Sequence, residues 1–326
     1  MKNRAVSLAA AALIAVGLSS VSASAEELIL THVFGVNSLE NKAAMRLADT
    51  IKEKSGGKYT VSVFPASQLG GFTEMVQQMR TGTVHLSIIS TVVFGSIDEL
   101  LCLDAWPFMF DSREEFERGY RSEAGQAFLK EFQKLTGIVP LTPFYKSFRQ
   151  IAINRDANTL DDLKGLKIRM PGFNMVLDSF KNFGIAPTPM AVSEMFTAMQ
   201  QGVVNGVEWE MQNLADIGIQ EVAKTLVVVN YSAANYVWPM PEKFFNSLPP
   251  EDQKMITDAA QECASWFSDE VEGYAADAYK KFEEAKVKII KPDTSEWRTI
   301  TNTVLAKQYP KIFEYADAMS KAGKAK

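Results

Sequence analysis

The sequence predicts an α/β protein folded as two lobes, with one long helix running across both. Three observations lead there. Between Glu27 and Ile89 strand-like and helix-like stretches alternate, the pattern of a parallel sheet covered by helices. Behind a leader-like start the chain keeps about 300 residues, more than one ordinary domain holds. From Leu248 to about Ala285, apolar residues recur at helical spacing without a break.

The start stands apart from the fold. Lys2 and Arg4 precede an apolar run, Ala5 to Leu18, and Ser22-Ala23-Ser24-Ala25 follows. This is the layout of a secretory signal cut after Ala25. The alternative is an uncleaved anchor, but the run is shorter than the ~20 residues a membrane span needs. Without Lys2 and Arg4 the chain carries 32 basic against 39 acidic side chains. A net charge near −7 argues against a nucleic-acid partner, which calls for basic stripes. Cys102 and Cys263 are the only cysteines. Export would permit a disulfide, while their apolar surroundings suit two buried thiols. The only histidines, His32 and His85, have no neighbours at metal-ligand spacing, so no metal or cofactor is expected.

The elements follow in order. Glu27 to Val33 alternates as a strand. Ser38 caps a helix to about Lys54, with Leu39, Ala43, Leu47 and Ile51 on one face. Tyr59 to Phe64 is a second strand, Met75 to Met79 a short helix, and Val84 to Ile89 a third strand. Ligands of such sheets bind beyond the carboxyl ends of strands, which brings His32, Gln68 and Ser90 near a candidate cleft. Ser112 to Leu135 reads as one helix, and Ile138 to Asn154 as two extended runs where the chain crosses into a second lobe. There, Lys167 to Met170 is a strand, Phe173 to Phe183 a helix, and Pro187 to Met190 extended. Val192, Met195, Phe196 and Met199 mark a helix face that belongs to a core. Thr225 to Asn230 is a strand, and Asn230 to Tyr236 returns the chain to the first lobe. Beyond the long helix come a strand at Val287 to Ile290, a helix from Pro310, and a solvated basic tail, Lys321 to Lys326. The division expected is 1–25 leader, 26–146 and 235–274 first lobe, 147–234 and 275–326 second lobe.

Asp162 to Glu210 concentrates the functional signal. Arg169 closes the run Asp162-Leu163-Lys164-Gly165-Leu166-Lys167-Ile168-Arg169-Met170-Pro171, where a strand meets a loop. Guanidinium matches a carboxylate with two parallel hydrogen bonds. Arg149, twenty residues earlier, can join it in an anion clamp. For each arginine a structural ion pair is the competing reading, with Asp161, Asp162 or Glu208 available to Arg169. No nucleophile motif or acid–base pair stands out, so an enzyme is not expected.

This stretch, with Pro187-Thr188-Pro189-Met190 and Gly206-Val207-Glu208-Trp209-Glu210, resembles the central signature of solute-binding proteins of TRAP transporters, the DctP type. Phe64-Pro65, Gln68-Leu69-Gly70-Gly71, Trp106-Pro107-Phe108 and Leu248-Pro249-Pro250-Glu251 fit the same pattern. The resemblance implies a periplasmic two-lobe binding protein that closes on a small organic acid. It would hand its ligand to small and large membrane subunits; the sequence leaves the oligomeric state open, with a monomer as the default. It implies that Arg169 pairs with the ligand carboxylate, that Arg149 faces the cleft and that His32 lies close to ligand. It places Trp209 where relatives taking small oxo or hydroxy acids have Trp. Val192 stands where Phe is common, and Glu210 where Pro is common. Glu210 is expected in solvent or, facing the cleft, as an acceptor for ligand hydroxyls, and Tyr236 is a further lining candidate. A ligand-sensing module with the same site is the alternative to a transport component.

Overall fold

The computed structural model describes residues 25–325, so the leader from Lys2 to Ser24 lies outside the described residues. The chain opens with β1 (Glu26–Thr31), α1 (Leu39–Lys54), β2 (Tyr59–Phe64), α2 (Phe72–Thr81) and β3 (Leu86–Ser87). β1 pairs in parallel with both neighbours, giving the order β2-β1-β3. Ser38 caps α1 as expected, its side chain accepting from the Asn41 N–H, and the Leu39 to Ile51 face is buried. β3 is shorter than the predicted strand. After Ser90 the chain winds into two 3-10 turns, Thr91–Ser96 and Glu99–Ala105, that bring a segment across the strand ends. Gly95 lies in the first turn, where an added Cβ would sit 2.4 Å from the Cys102 sulfur. Cys102 and Cys263 are both buried free thiols, and burial pushes the Cys263 thiol up to about 11.

The single helix expected over 112–135 is two, α3 (Arg113–Arg121) and α4 (Glu123–Thr136). Ser122 separates them in an extended conformation and caps the second by accepting from the Gly125 N–H. The two extended runs expected next are one strand, β4 (Ile138–Ile153). There follow β5 (Lys167–Met170), α5 (Asn174–Asn182), β6 (Ala186–Pro189), α6 (Met195–Gln200), β7 (Gly206–Glu210), α7 (Met211–Asp216), β8 (Thr225–Val227) and β9 (Ala233–Pro241). After α8 (Glu242–Ser247) and α9 (Pro250–Glu284), β10 (Lys288–Ile290) completes a sheet ordered β10-β8-β4-β7-β5-β6, with β9 also paired to β4.

β4 serves two roles. Its first half lies antiparallel to β9, and its second half runs between β7 and β8. A register shift falls between Tyr145 and Phe148, and Ser147 there has φ 79°. Asn230, where the chain returns toward β9, has φ 44°. Left-handed backbone is uncommon for residues other than glycine, and here it falls where β4 changes partners and where the chain turns into β9.

α9 is 35 residues long, about 50 Å at 1.5 Å per residue. It begins with Pro250 in its first turn, where a missing N–H costs nothing, and it packs on α1, β4 and α7. The last elements are α10 (Ser295–Ile300), a π turn (Thr301–Leu305), α11 (Ala306–Gln308) and α12 (Pro310–Lys324). Trp297 of α10 stacks flat on Phe183, ring centroids 4.4 Å apart. α12 returns to α3 and α4, and Arg118 Nε donates to the Gly323 carbonyl at 2.7 Å. The tail expected in solvent is therefore helical through Lys324, with Gly323 buried. Among the described residues no helix is long and apolar enough to cross a membrane.

Candidate functional site

The carboxyl ends of β5 and β6 look across a cleft of about 960 Å³ toward the start of α2 and the turn near Ser96. Ser67, Gly71 and Gln77 line one wall; Arg169, Asn174 and Val192 line the other. Beneath it lies an inner compartment of about 30 Å³, which shares Arg169 and Val192 with the cleft. Ser90, Lys146, Arg149, Trp209 and Tyr236 also line it, together with apolar side chains that include Phe34, Phe72 and Phe173.

Arg169 is positioned by the parallel pairing of β5 with β6, in which it sits opposite Thr188. Pro171 has no N–H and ends the strand one residue beyond Met170. The guanidinium is 2% exposed. Nε and Nη2 both donate to the Met190 carbonyl, at 2.9 and 2.7 Å. The carboxylates considered as its structural partners are engaged elsewhere. Asp161 bridges Lys164, Asp162 accepts from the Asn158 and Thr159 N–H groups, and Glu208 is held by Arg149. Among the described residues no carboxylate lies within ion-pair distance of Arg169. Burial lowers its pKa to about 10, with Glu208 only partly opposing.

Arg149 is the opposite case. Its Nε and Nη2 grip the two oxygens of Glu208, each at 2.7 Å, and Nη1 donates to Glu210 at 2.6 Å. The strand register explains it. Arg149 pairs directly with Glu210 across β4 and β7, and Glu208 lies two residues along on the same face. Tyr231 adds its hydroxyl to Glu208 at 2.6 Å. Burial alone would lower the Arg149 pKa, but Glu208 and Glu210 raise it well above the ordinary value. Glu210 is fully buried, which corrects the expectation of a solvated carboxylate. Burial would raise its pKa, yet Arg149 and Lys146 hold it below the usual range. Among the described residues no His, Cys, Asp and Glu group suits a metal.

Lys146 was not singled out in the sequence. It is 3% exposed, with Nζ 2.8 Å from Glu210 and 3.3 Å from the Ser90 hydroxyl. Ser90 in turn donates to Asp104, whose carboxyl burial raises to about 6 against the pull of Lys146. Trp209 stacks on Phe34 at 6.0 Å. The Tyr236 hydroxyl donates to Glu40 at 3.0 Å. Burial raises that carboxyl to about 8.

Two expected site residues fall outside both spaces. His32 is wholly buried, accepting from the Phe34 N–H through Nδ1 and meeting Asn41 through Nε2. Burial lowers its pKa to about 4, so it is a neutral brace of the loop between β1 and α1. Gln68 is exposed, and Ser67 lines the cleft instead. The left-handed pair Ala66 and Ser67 turns the loop so that Ser67 faces inward.

The family model for bacterial extracellular solute-binding protein, family 7, matches residues 30–312. The chain belongs to the DctP family. The sialic acid-binding periplasmic protein SiaP of Vibrio cholerae is 26% identical over 263 residues, 81% of this chain and 82% of that protein. Among solved structures, the sugar acid binding protein DctPAm of Advenella mimigardefordensis, in complex with galactonate, aligns with TM-score 0.86 at 23% identity. That alignment covers 92% of this chain and 98% of the other. A TRAP periplasmic solute-binding protein of Shewanella oneidensis with bound succinate also has TM-score 0.86, at 24% identity, covering 92% and 100%. The two-lobe α/β fold with its long helix is the fold these DctP-family structures share, and the family is one of transport components rather than enzymes.

Proposed function

We propose that this protein captures a small organic acid in the periplasm and delivers it to the small and large membrane subunits of a TRAP transporter. Arg169 anchors the ligand carboxylate. One observation carries this reading: a buried guanidinium held in place by a backbone carbonyl, with Nη1 free of partners among the described residues. A buried cation without a counter-charge is costly, and an incoming carboxylate supplies the missing one. Sialic acid, galactonate and succinate, the ligands named for the relatives, are all acids, which fits. Trp209, Val192, Ser90 and Tyr236 shape the ligand's surroundings, while Arg149 stiffens the wall behind it.

The lobes divide as 26–146 with 235–274, and 147–234 with 275–326, and close by bending at the two left-handed crossings, Ser147 and Asn230. In this division α12 leaves the second lobe and rests on α3 and α4 of the first.

The test is a thermal-shift screen against C4-dicarboxylates, oxo and hydroxy acids, sugar acids and sulfonates. A ligand at 100 times its Kd adds about 2.7 kcal/mol, a rise of several degrees. The rise should vanish in Arg169→Met. A ligand that binds Arg169→Met as tightly as the parent would remove Arg169 as the anchor.

A further inference from the structure

We infer that Lys146 and Ser90 form a subsite for a hydroxyl close to the ligand carboxylate, so that this protein prefers hydroxy acids over their deoxy counterparts. The inference rests on the anchoring of the carboxylate by Arg169. It starts from the size of the inner compartment. This compartment is narrow, about 30 Å³ against about 960 Å³ for the cleft above, so the body of the ligand occupies the larger space. Arg169 lines both spaces, so a carboxylate held there leaves only its near neighbours within reach of the inner walls.

The polar walls then decide which substituent fits. An ammonium has three N–H donors. Lys146 directs one to Glu210 at 2.8 Å and one to Ser90 at 3.3 Å. The third has no acceptor among the described residues, with the Tyr236 ring 4.7 Å away. The Ser90 hydroxyl donates to Asp104 and accepts from Lys146, which leaves it one further lone pair. The compartment therefore offers one donor and one acceptor side by side. A ligand hydroxyl uses both, accepting from Lys146 and donating to Ser90. An oxo group uses only the first. A CH₂ uses neither and leaves the ammonium buried without its third partner. A site built to hydrogen-bond a hydroxyl rejects the analogue lacking it, because its own polar groups are left unpaired.

Glu210 and Asp104 fix this arrangement from behind. Glu210 is shared between Lys146 and Arg149, so Lys146 is not consumed by a private ion pair. Asp104 takes the Ser90 proton side and turns the remaining lone pair away from itself.

The experiment is calorimetric titration of the purified protein with matched acids: malate against succinate, lactate against propionate and pyruvate, gluconate against 2-deoxygluconate. At least one pair should bind, with the hydroxy member favoured at least tenfold. Lys146→Met should bring that ratio to within threefold, chiefly by weakening the hydroxy acid. Ser90→Ala, the milder change, should leave the deoxy acid unaffected and narrow the gap between lactate and pyruvate, or between malate and oxaloacetate. Equal affinities within every bound pair in the parent would overturn the subsite, as would a ratio unmoved in both variants. Arg169→Met separates the two claims. It should abolish binding of both members of a pair. If it spares them while Lys146→Met still erases the ratio, the hydroxyl subsite stands and the carboxylate anchor falls. Failure of every acid to bind the parent overturns both.

Discussion

Arg149 and Arg169 lie within one wall, and both guanidiniums are buried, yet they are held in opposite ways. Arg149 is surrounded by counter-charge, with Glu208 and Glu210 as ion-pair partners and the Tyr231 hydroxyl as a further acceptor. Arg169 is held by one carbonyl and given no counter-charge. The difference separates a group that builds the fold from the group we propose as the ligand's anchor. A buried ion pair loses several kcal/mol when one partner is removed, because the other is stranded. A buried unpaired cation strands nothing when it leaves.

The sharpest way to break this comparison is Arg149→Met. It leaves Glu208 and Glu210 buried, with Lys146 alone to balance them. Equilibrium unfolding should show a loss of about 3–5 kcal/mol, and a loss under 1 kcal/mol would remove the distinction. Arg169→Met is the counterpart. Ligand affinity should fall at least about 30-fold, while the unliganded protein keeps its unfolding midpoint or gains. A fall in midpoint like that of Arg149→Met would show that the two arginines do the same work.

Glu40 extends the comparison to a carboxyl buried with hydrogen bonds but no cation. Its folded pKa is raised to about 8 from the ordinary value of 4.5, chiefly by burial. A raised carboxyl stabilises the fold fully below the unfolded value, and that contribution is lost as pH rises through the folded one. Glu40→Gln removes the titration. The stability of the parent relative to this variant should therefore fall between about pH 4.5 and 8, by up to about 1.4 kcal/mol per pH unit. A flat difference across that window would mean that Glu40 is ionised in the fold.

The smallest effect is expected at Ser147, two residues before Arg149. Its φ of 79° is strained for a side chain. Ser147→Gly should relieve that strain and stabilise by no more than about 1 kcal/mol, since glycine is freer in the unfolded chain. Destabilisation on that substitution would mean that the serine hydroxyl contributes more than its backbone costs.

Much of this was legible in the sequence, and the reasons are local. Ser38 and the four-residue spacing after it define α1. Gly82, Gly137 and Gly184 end elements where left-handed backbone is needed. Arg169 stands out at the end of a strand run, but its reading as an anchor comes from the resemblance, since the residues alone leave a structural ion pair open. What stayed hidden depends on register. Which carboxylates Arg149 meets is decided by pairing β4 with β7, and no single stretch states that Glu210 will lie opposite it. The same register buries Glu210, and β7 itself was not predicted. Lys146 looked like one more charge in an extended run because nothing local says that its neighbours are Glu210 and Ser90. His32 and Gln68 sit at the expected strand ends, but side-chain direction there is set by loop turns at Phe34 and Ala66. Ser122 reads as an ordinary helix residue until its hydroxyl is found capping the next helix.

The Met190 carbonyl has one further consequence. It fixes two donors of Arg169 before any ligand arrives, so the side chain has already lost the rotamer freedom that binding would otherwise remove. A dipole can immobilise a cation without neutralising it. Under the proposed anchoring, rotation at the 189–191 backbone would release the guanidinium from that grip, which makes this peptide a place where ligand release can be tuned. A protein that must surrender what it holds gains from having one. Small changes in the 189–191 segment can tune residence time while leaving the charge that draws the acid in untouched.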